Sequence, residues 1–193
     1  MKIYFASHNL NKVKEIASIA PEGIEIHGLD ELGVDQEIPE TGETLEENSS
    51  IKAEYVFSRF KLPVFSDDSG LEVNALNGAP GVYSARYAGP EKDHDKNMNL
   101  LLENLSGKTD RSAQFKTVIT FIDHSGSKVQ FSGTVEGTIT LHKQGSKGFG
   151  YDPIFLPDGA DRTFAQMTPE EKNARSHRAR AFEKLVTHLN TLK

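Results

Sequence analysis

The sequence predicts a mixed α/β domain, and three observations carry that prediction. A short apolar run, Lys2–Ser7, leads directly into a helical period. A second apolar run, Leu62–Val73, follows a capped helical stretch. From Ala113 onward apolar and polar residues alternate, turn at His124–Ser127 and return as Lys128–Leu141. That last pattern is a long antiparallel hairpin. No repeat, low-complexity tract or linker interrupts the chain, so residues 1–193 read as one domain.

The elements follow in order. Lys2–Ser7 reads as a buried strand. In the helix after it, with Asn9 as N-cap, Val13, Ile16, Ala17 and Ala20 fall on one face. Ile24–Leu29 is a second short strand. Gln36–Glu47 is an acidic loop that ends in a helix start, where Thr44 and Glu47 form a capping box. Ala53, Val56, Phe57 and Phe60 make that helix's apolar stripe. Leu62–Val73 is a strand interrupted at Ser69-Gly70, and Asn77–Gly89 is rich in turn residues. Met98, Leu101, Leu102 and Leu105 mark a helix that ends near Gly107. In the returning hairpin strand, Gly133 and Gly137 mark bulges or bends. The last helix starts at Thr168, with Pro169 at its first position and Glu171 completing a capping box. Its stripe, Phe182, Leu185, Val186 and Leu189, occupies only the second half, so the first half faces something else.

Composition excludes several functions. The 193 residues contain no cysteine, which removes disulfides, zinc–thiolate sites and thiol nucleophiles, and fits a reducing compartment. The apolar run near Met1 is too short for a signal peptide, and no stretch reaches membrane-spanning length. A net charge of −6 argues against nucleic-acid coating and membrane-surface binding. Any phosphate-binding surface must be local.

Five segments carry chemistry. Asp67 and Asp68 sit side by side in an apolar strand, where adjacent side chains point to opposite faces. One is expected to cap N–H groups around Ser69-Gly70, the other to face a cleft and offer oxygen to Mg²⁺; an Asx-turn pair is the alternative. Ser7–Lys12 is a strand-to-helix turn with a lysine in the first helical turn, and free N–H groups there suit phosphate; an ordinary capped helix fits as well. Pro39–Ala53 joins a carboxylate-rich loop to Asn48 and Lys52, one turn apart, and also reads as a solvated loop with a surface lysine. Gly148–Phe155 places two aromatics among glycines, with Asp152 held extended by Pro153. An aromatic there stacks on a base or simply fills the core. Glu170–Ala181 holds Lys172, Arg175, His177, Arg178 and Arg180, the one basic cluster in an acidic chain. It suits a small polyanion, or else salt-bridging on an exposed helix start. In combination the segments describe a base, a triphosphate and Mg²⁺ handled together.

The segments ASHNLNKVKEI, PETGETLEENSSIKA, DDSGLEVNALNGAPGVYSARYAG, GFGYDPIF and FAQMTPEEKNARSHRARA occur in this order across nearly the whole chain. In them the chain resembles the inosine triphosphate pyrophosphatase family, the XTP/dITP diphosphatases. Gln166 stands where many relatives have Glu. The resemblance implies a long curved sheet with helices in two lobes and a cleft between them. It implies a cytoplasmic homodimer that uses Mg²⁺ to hydrolyse ITP, dITP and XTP to monophosphate and pyrophosphate, with no nucleic-acid or membrane partner. By position it implies that Ser7, His8, Asn9, Leu10, Asn11 and Lys12 line the triphosphate. Glu40 and Asp68 would bind Mg²⁺, with Asp68 taking the proton from the attacking water. Lys52 and Ser69 would serve the phosphates or the metal, and Arg86 would close the site. Phe149, Gly150, Tyr151, Asp152, Lys172, His177 and Arg178 would surround base and sugar. A non-catalytic nucleotide sensor is the competing class, and a pyrophosphatase for modified pyrimidine nucleotides is the runner-up among enzymes.

Overall fold

The computed structural model describes residues 1–192. The fold is mixed α/β. Its strands are β1 (Lys2–Phe5), β2 (Glu25–His27), β3 (Val64–Val73), β4 (Pro80–Gly81), β5 (Ser112–Ile122), β6 (Lys128–Ile139) and β7 (Phe155–Pro157). Its helices are α1 (Leu10–Ile19), α2 (Leu45–Phe60), α3 (His94–Asn104), α4 (Pro169–Asn173) and α5 (His177–Thr191). The strands join in the order β2-β1-β3-β5-β6-β7, with β4 on β3. β1 is parallel to β2 and β3, whereas β4 and β7 are antiparallel to their partners.

The chain packs as two compact units. The first comprises Met1–Asp68, Thr117–Gly133 and the segment from Arg178 onward; the second comprises Ser69–Lys116 and Thr134–His177. In the first unit, Ile3, Phe5, Ile16, Phe65, Ile119, Phe182, Leu185 and Leu189 form one fully buried cluster. Phe5 and Phe65 stack with centroids 4.5 Å apart. A second cluster gathers Tyr4, Ala53, Val56, Val64 and Ile122. The second unit has its own core of Leu71, Leu101, Leu105, Phe115, Tyr151, Ile154, Phe155 and Phe164.

Local chemistry explains several boundaries. Asn9 caps α1, its side chain accepting from the N–H groups of Asn11 and Lys12. Thr44 caps α2 by accepting from the Glu47 N–H, but Glu47 does not close a capping box. Its carboxylate reaches one residue further back and accepts from the Glu43 N–H at 2.7 Å. Thr168 and Glu171 form the expected reciprocal box at α4.

Four other expectations are corrected. β3 runs unbroken through Ser69-Gly70. Gly70 is needed there because a Cβ would strike the carbonyl of Gly81 on β4. Gly137 makes no bulge against β7, with which it pairs in regular register; a Cβ at that position would collide with Leu156 and Phe155 of β7. Ala17 is exposed, and Ile19 joins Val13 and Ala20 against the core instead. The single C-terminal helix is two helices, broken over residues 174–176.

Candidate active site

Charged side chains converge at the sheet end of the first unit. β3 delivers Asp67 and Asp68 as consecutive residues; α1 delivers Lys12 and Glu15, α2 delivers Lys52, and α5 delivers Arg178. Asp67 is fully buried, with Lys12 Nζ 3.1 Å from each of its oxygens and Arg178 Nε 3.1 Å from Oδ2. Arg178 also pairs with Glu15. Burial alone would raise the Asp67 carboxyl, but Lys12, Arg178 and Lys52 more than reverse this and hold it far below the usual carboxylate range. Burial pushes the Lys12 ammonium down against the pull of Asp67.

Asp68 is treated differently. Lys52 Nζ lies 3.6 Å from its Oδ1, and its Oδ2 is buried with no hydrogen-bond partner. Burial pushes the Asp68 carboxyl up, and Lys52 and Lys12 do not fully offset it. Lys52 also pairs with Glu40. Burial lowers the Lys52 ammonium, yet Asp68 and Glu40 outweigh it and keep the group charged. One turn before Lys52, Asn48 Oδ1 accepts from the Gly42 N–H at 2.8 Å and tethers the loop that carries Glu40.

These residues suit a divalent cation. An orphaned buried carboxylate oxygen costs free energy unless a ligand meets it. Glu40 and Asp68 offer hard oxygen donors, and Mg²⁺ is commonly held by one or two carboxylates plus substrate phosphates and water. No group of three His, Cys, Asp or Glu able to hold a metal occurs among the described residues.

The turn Ser7–Lys12 is organised by its own polar groups. Ser7 Oγ accepts from the Asn9 N–H at 3.2 Å, and His8 Nε2 donates to the Val34 carbonyl at 2.8 Å. Asn9 Oδ1 already occupies the N–H groups of Asn11 and Lys12, at 3.0 and 3.3 Å, which were expected to be free for phosphate. Leu10 is 71% exposed, and Asn11 is exposed beside it.

A second constellation lies within the second unit, around the loop 148–152. A Cβ at Gly148 would run into the Asp152 carboxylate, so only glycine lets that side chain fold back under the loop. Asp152 Oδ2 accepts from the Phe149 N–H at 2.8 Å and from Lys172 Nζ at 2.6 Å. Pro153 does not keep Asp152 extended; Asp152 opens a short 3₁₀ turn, Asp152–Ile154. Lys172 Nζ stands 4.8 Å from the centroid of the half-buried Phe149 ring. Tyr151 is a core residue, its hydroxyl donating to the Ser84 carbonyl at 2.8 Å, which leaves Phe149 as the loop's candidate for stacking. His177 is buried and stacks on Phe115, with centroids 4.7 Å apart and planes 10° apart. Arg86 ends the 3₁₀ turn Ser84–Arg86 and lies over Tyr83, and Ser69 is half-buried on β3.

The basic cluster of the sequence therefore divides. Lys172 pairs with Asp152, while Arg178, expected beside the base, pairs with Asp67 and Glu15. Asp67 anchors two cations. Glu15 and the partnership of Asp67 with Arg178 were missed from sequence, whereas Asn48 was singled out there beside Lys52. Only the spacing of Glu15 from Lys12, three residues along one helix, hinted at the first of these.

Comparison with known proteins identifies the family. The Ham1 family model matches residues 3–188. The dITP/XTP pyrophosphatase of Christiangramia forsetii is 50% identical over 98% of this chain and 100% of its own. That of Porphyromonas gingivalis is 51% identical over 95% of each. Among solved structures, the Staphylococcus aureus Ham1 protein superposes with a TM-score of 0.90 at 43% identity, over 100% of both chains. A HAM1 protein from Coxiella burnetii gives 0.90 at 39% identity, over 99% of each. With its motifs in order, its charged site built and its whole length matched, the chain belongs to the Ham1 family.

Proposed function

We propose that the protein hydrolyses dITP, XTP and ITP to the monophosphate and pyrophosphate with Mg²⁺, and so clears nonstandard purines from the nucleotide pool. At the level of enzyme class, the chain is a nucleoside triphosphate pyrophosphatase. The observation that carries the mechanism is the buried, unpartnered Oδ2 of Asp68 beside Lys52 and Glu40.

In this reading Asp68 is the catalytic base. Water attacks the α-phosphorus, its proton passes to Asp68, and pyrophosphate leaves with the electrons of the broken P–O bond. Burial raises the carboxyl's basicity, which suits a proton acceptor. Mg²⁺, held by Glu40 and Asp68, would neutralise phosphate charge and favour the leaving group. Lys12 and Lys52 supply further positive charge toward the phosphates. The turn Ser7–Lys12 borders the triphosphate, with the N–H groups now on Asn9 exchanging to phosphate. Arg178 and Asp67 keep Lys12 placed. Ser69 serves the phosphates and Arg86 closes over the ligand.

Phe149 is the platform for the purine, and Lys172 and His177 read its polar edge. Inosine and xanthosine carry a 6-keto oxygen, whereas adenosine carries an amino group that would set donor against donor. Guanosine shares the keto group, so its exclusion falls on the 2-amino position. No helix among the described residues is long and apolar enough to cross a membrane. We assign the enzyme to the cytoplasm, as a homodimer.

Pyrophosphate release from a nucleotide panel tests the proposal. dITP, ITP and XTP are expected to react far faster than ATP and GTP. Equal kcat/KM for ITP and ATP would leave only a general nucleotide pyrophosphatase, and binding without release would leave a sensor.

A further inference from the structure

The side chain of His94 meets the loop that carries Phe149. His94 is the exposed first residue of α3. The backbone N–H of Gly150 donates to its Nδ1 at 2.7 Å, between residues 56 apart in sequence. A backbone N–H can only donate, so Nδ1 must carry the lone pair. In this bond His94 Nδ1 is thus the acceptor. Its ring stands 6.4 Å from that of Phe149, tilted by 48°.

The loop has other ties beside this bond. Asp152 accepts from the Phe149 N–H, and Tyr151 reaches the Ser84 carbonyl. Gly150 has φ +63°, and nothing lies within 4 Å of where its Cβ would be. The peptide between Phe149 and Gly150 is held at both ends: its carbonyl accepts from the Asp152 N–H at 3.3 Å, and its N–H makes the shorter bond, at 2.7 Å, to a side chain from α3. Turning that peptide turns the backbone from which the Phe149 ring projects.

We infer that His94 is a positioning residue: its Nδ1 holds the Phe149–Gly150 peptide so that the Phe149 ring is presented to the purine. This rests on the reading of Phe149 as the base platform. The role needs an acceptor at the Nδ1 position and nothing else of histidine. Asparagine places Oδ1 there; leucine fills similar space with no acceptor. Because His94 is exposed, neither substitution endangers the core.

The full-length protein, ¹⁵N-labelled, reports on the bond directly through solvent exchange of the Gly150 amide. In His94→Leu that exchange should speed up about 3- to 10-fold, the worth of one net hydrogen bond, and His94→Asn should restore it. KM for dITP should rise by a similar factor in His94→Leu, about 3- to 10-fold, with kcat within about twofold, and recover in His94→Asn. Unchanged Gly150 exchange in His94→Leu would overturn the inference. A KM that rises in Phe149→Ala but not in His94→Leu would also overturn it while leaving the platform reading intact. If neither variant moves KM, the platform reading fails and the positioning role falls with it.

Discussion

Asp67 and Asp68 are neighbours on one strand, yet the first has a cation on each carboxylate oxygen and the second keeps a buried oxygen with no partner. Strand geometry sends consecutive side chains to opposite faces. Here that alternation separates two duties. Asp67 meets Lys12 and Arg178 and fixes them in place. Asp68 is left desolvated and incompletely satisfied, a state that folding does not favour and that a metal or a proton relieves. Buried polar groups left unsatisfied in this way concentrate at sites of chemistry.

Asp68→Asn should divide the two properties. General-base catalysis is worth roughly 10²–10⁴-fold, so kcat for dITP should fall by at least about 10²-fold. The folded protein should lose nothing, because the missing charge sat near Glu40 and Asp67 with Lys52 as its main counter-charge. Its melting temperature in chelator is expected to equal or exceed that of the parent. Near-normal turnover at saturating Mg²⁺ would remove Asp68 from the base role.

Asp67→Asn should behave in the opposite sense. It takes the Asp67 counter-charge from buried Lys12 and from Arg178. Breaking a buried pair costs about 3–5 kcal/mol, which in a chain of this size lowers the melting temperature by at least about 6 °C. The folded-state pKa of Asp67 is depressed, so its contribution is complete above the unfolded value near pH 4 and is lost as pH falls below it. Metal-free parent protein should therefore lose stability more steeply below about pH 4 than the variant. Parallel acid limbs for the two proteins would show that the ion cluster is not what holds this end of β3.

How far these roles were legible in sequence follows from how local each one is. Asn9 and Thr44 announced α1 and α2 because a cap is a contact between residues two or three apart. The Asp67-Asp68 pair was conspicuous because carboxylates do not belong in an apolar strand. The break over residues 174–176 was invisible: it contains neither Gly nor Pro, and the polar run around it has no period to interrupt. It reflects tertiary commitments, Lys172 to Asp152 and Arg178 to Asp67. Tyr151 and Phe149 looked equivalent in the string GFGYDPIF, and only packing made one a core residue and the other a half-buried ring. The contact of Gly150 with His94 joins two turns far apart in the chain, and no local pattern encodes it.

Phe149→Ala tests stacking against reading. Base–aromatic stacking is worth about 1–3 kcal/mol and is nearly indifferent to the base. KM should rise about 5- to 150-fold for dITP and for ATP alike, with the preference between them kept within about threefold. Lys172 stays paired with Asp152 in the variant, so the polar edge that chooses the base is retained. A collapse of the preference with little change in KM would make Phe149 a specificity element and not a platform.

Glu40→Gln addresses the metal. Glu40 sits on a loop held by Asn48 through Gly42, and its carboxylate pairs with Lys52, which also approaches Asp68. Glutamine keeps the size and an acceptor for Lys52 but removes the negative charge that a divalent ion needs. Even outer partners of metal ligands are worth about 10–100-fold in affinity, so the Mg²⁺ concentration for half-maximal activity should rise by at least about 10-fold. Much of kcat should return at saturating Mg²⁺, since Asp68 still accepts the proton. Lys52, with one carboxylate partner fewer, should not destabilise the fold, because Asp68 and Asp67 remain as its counter-charges. Melting curves with and without Mg²⁺ and nucleotide give a second readout. The parent should be stabilised by the pair together, and the variant should need proportionally more Mg²⁺ for the same shift. An unchanged Mg²⁺ dependence in both measurements would take Glu40 out of the metal site and leave it as the partner that holds Lys52 in place.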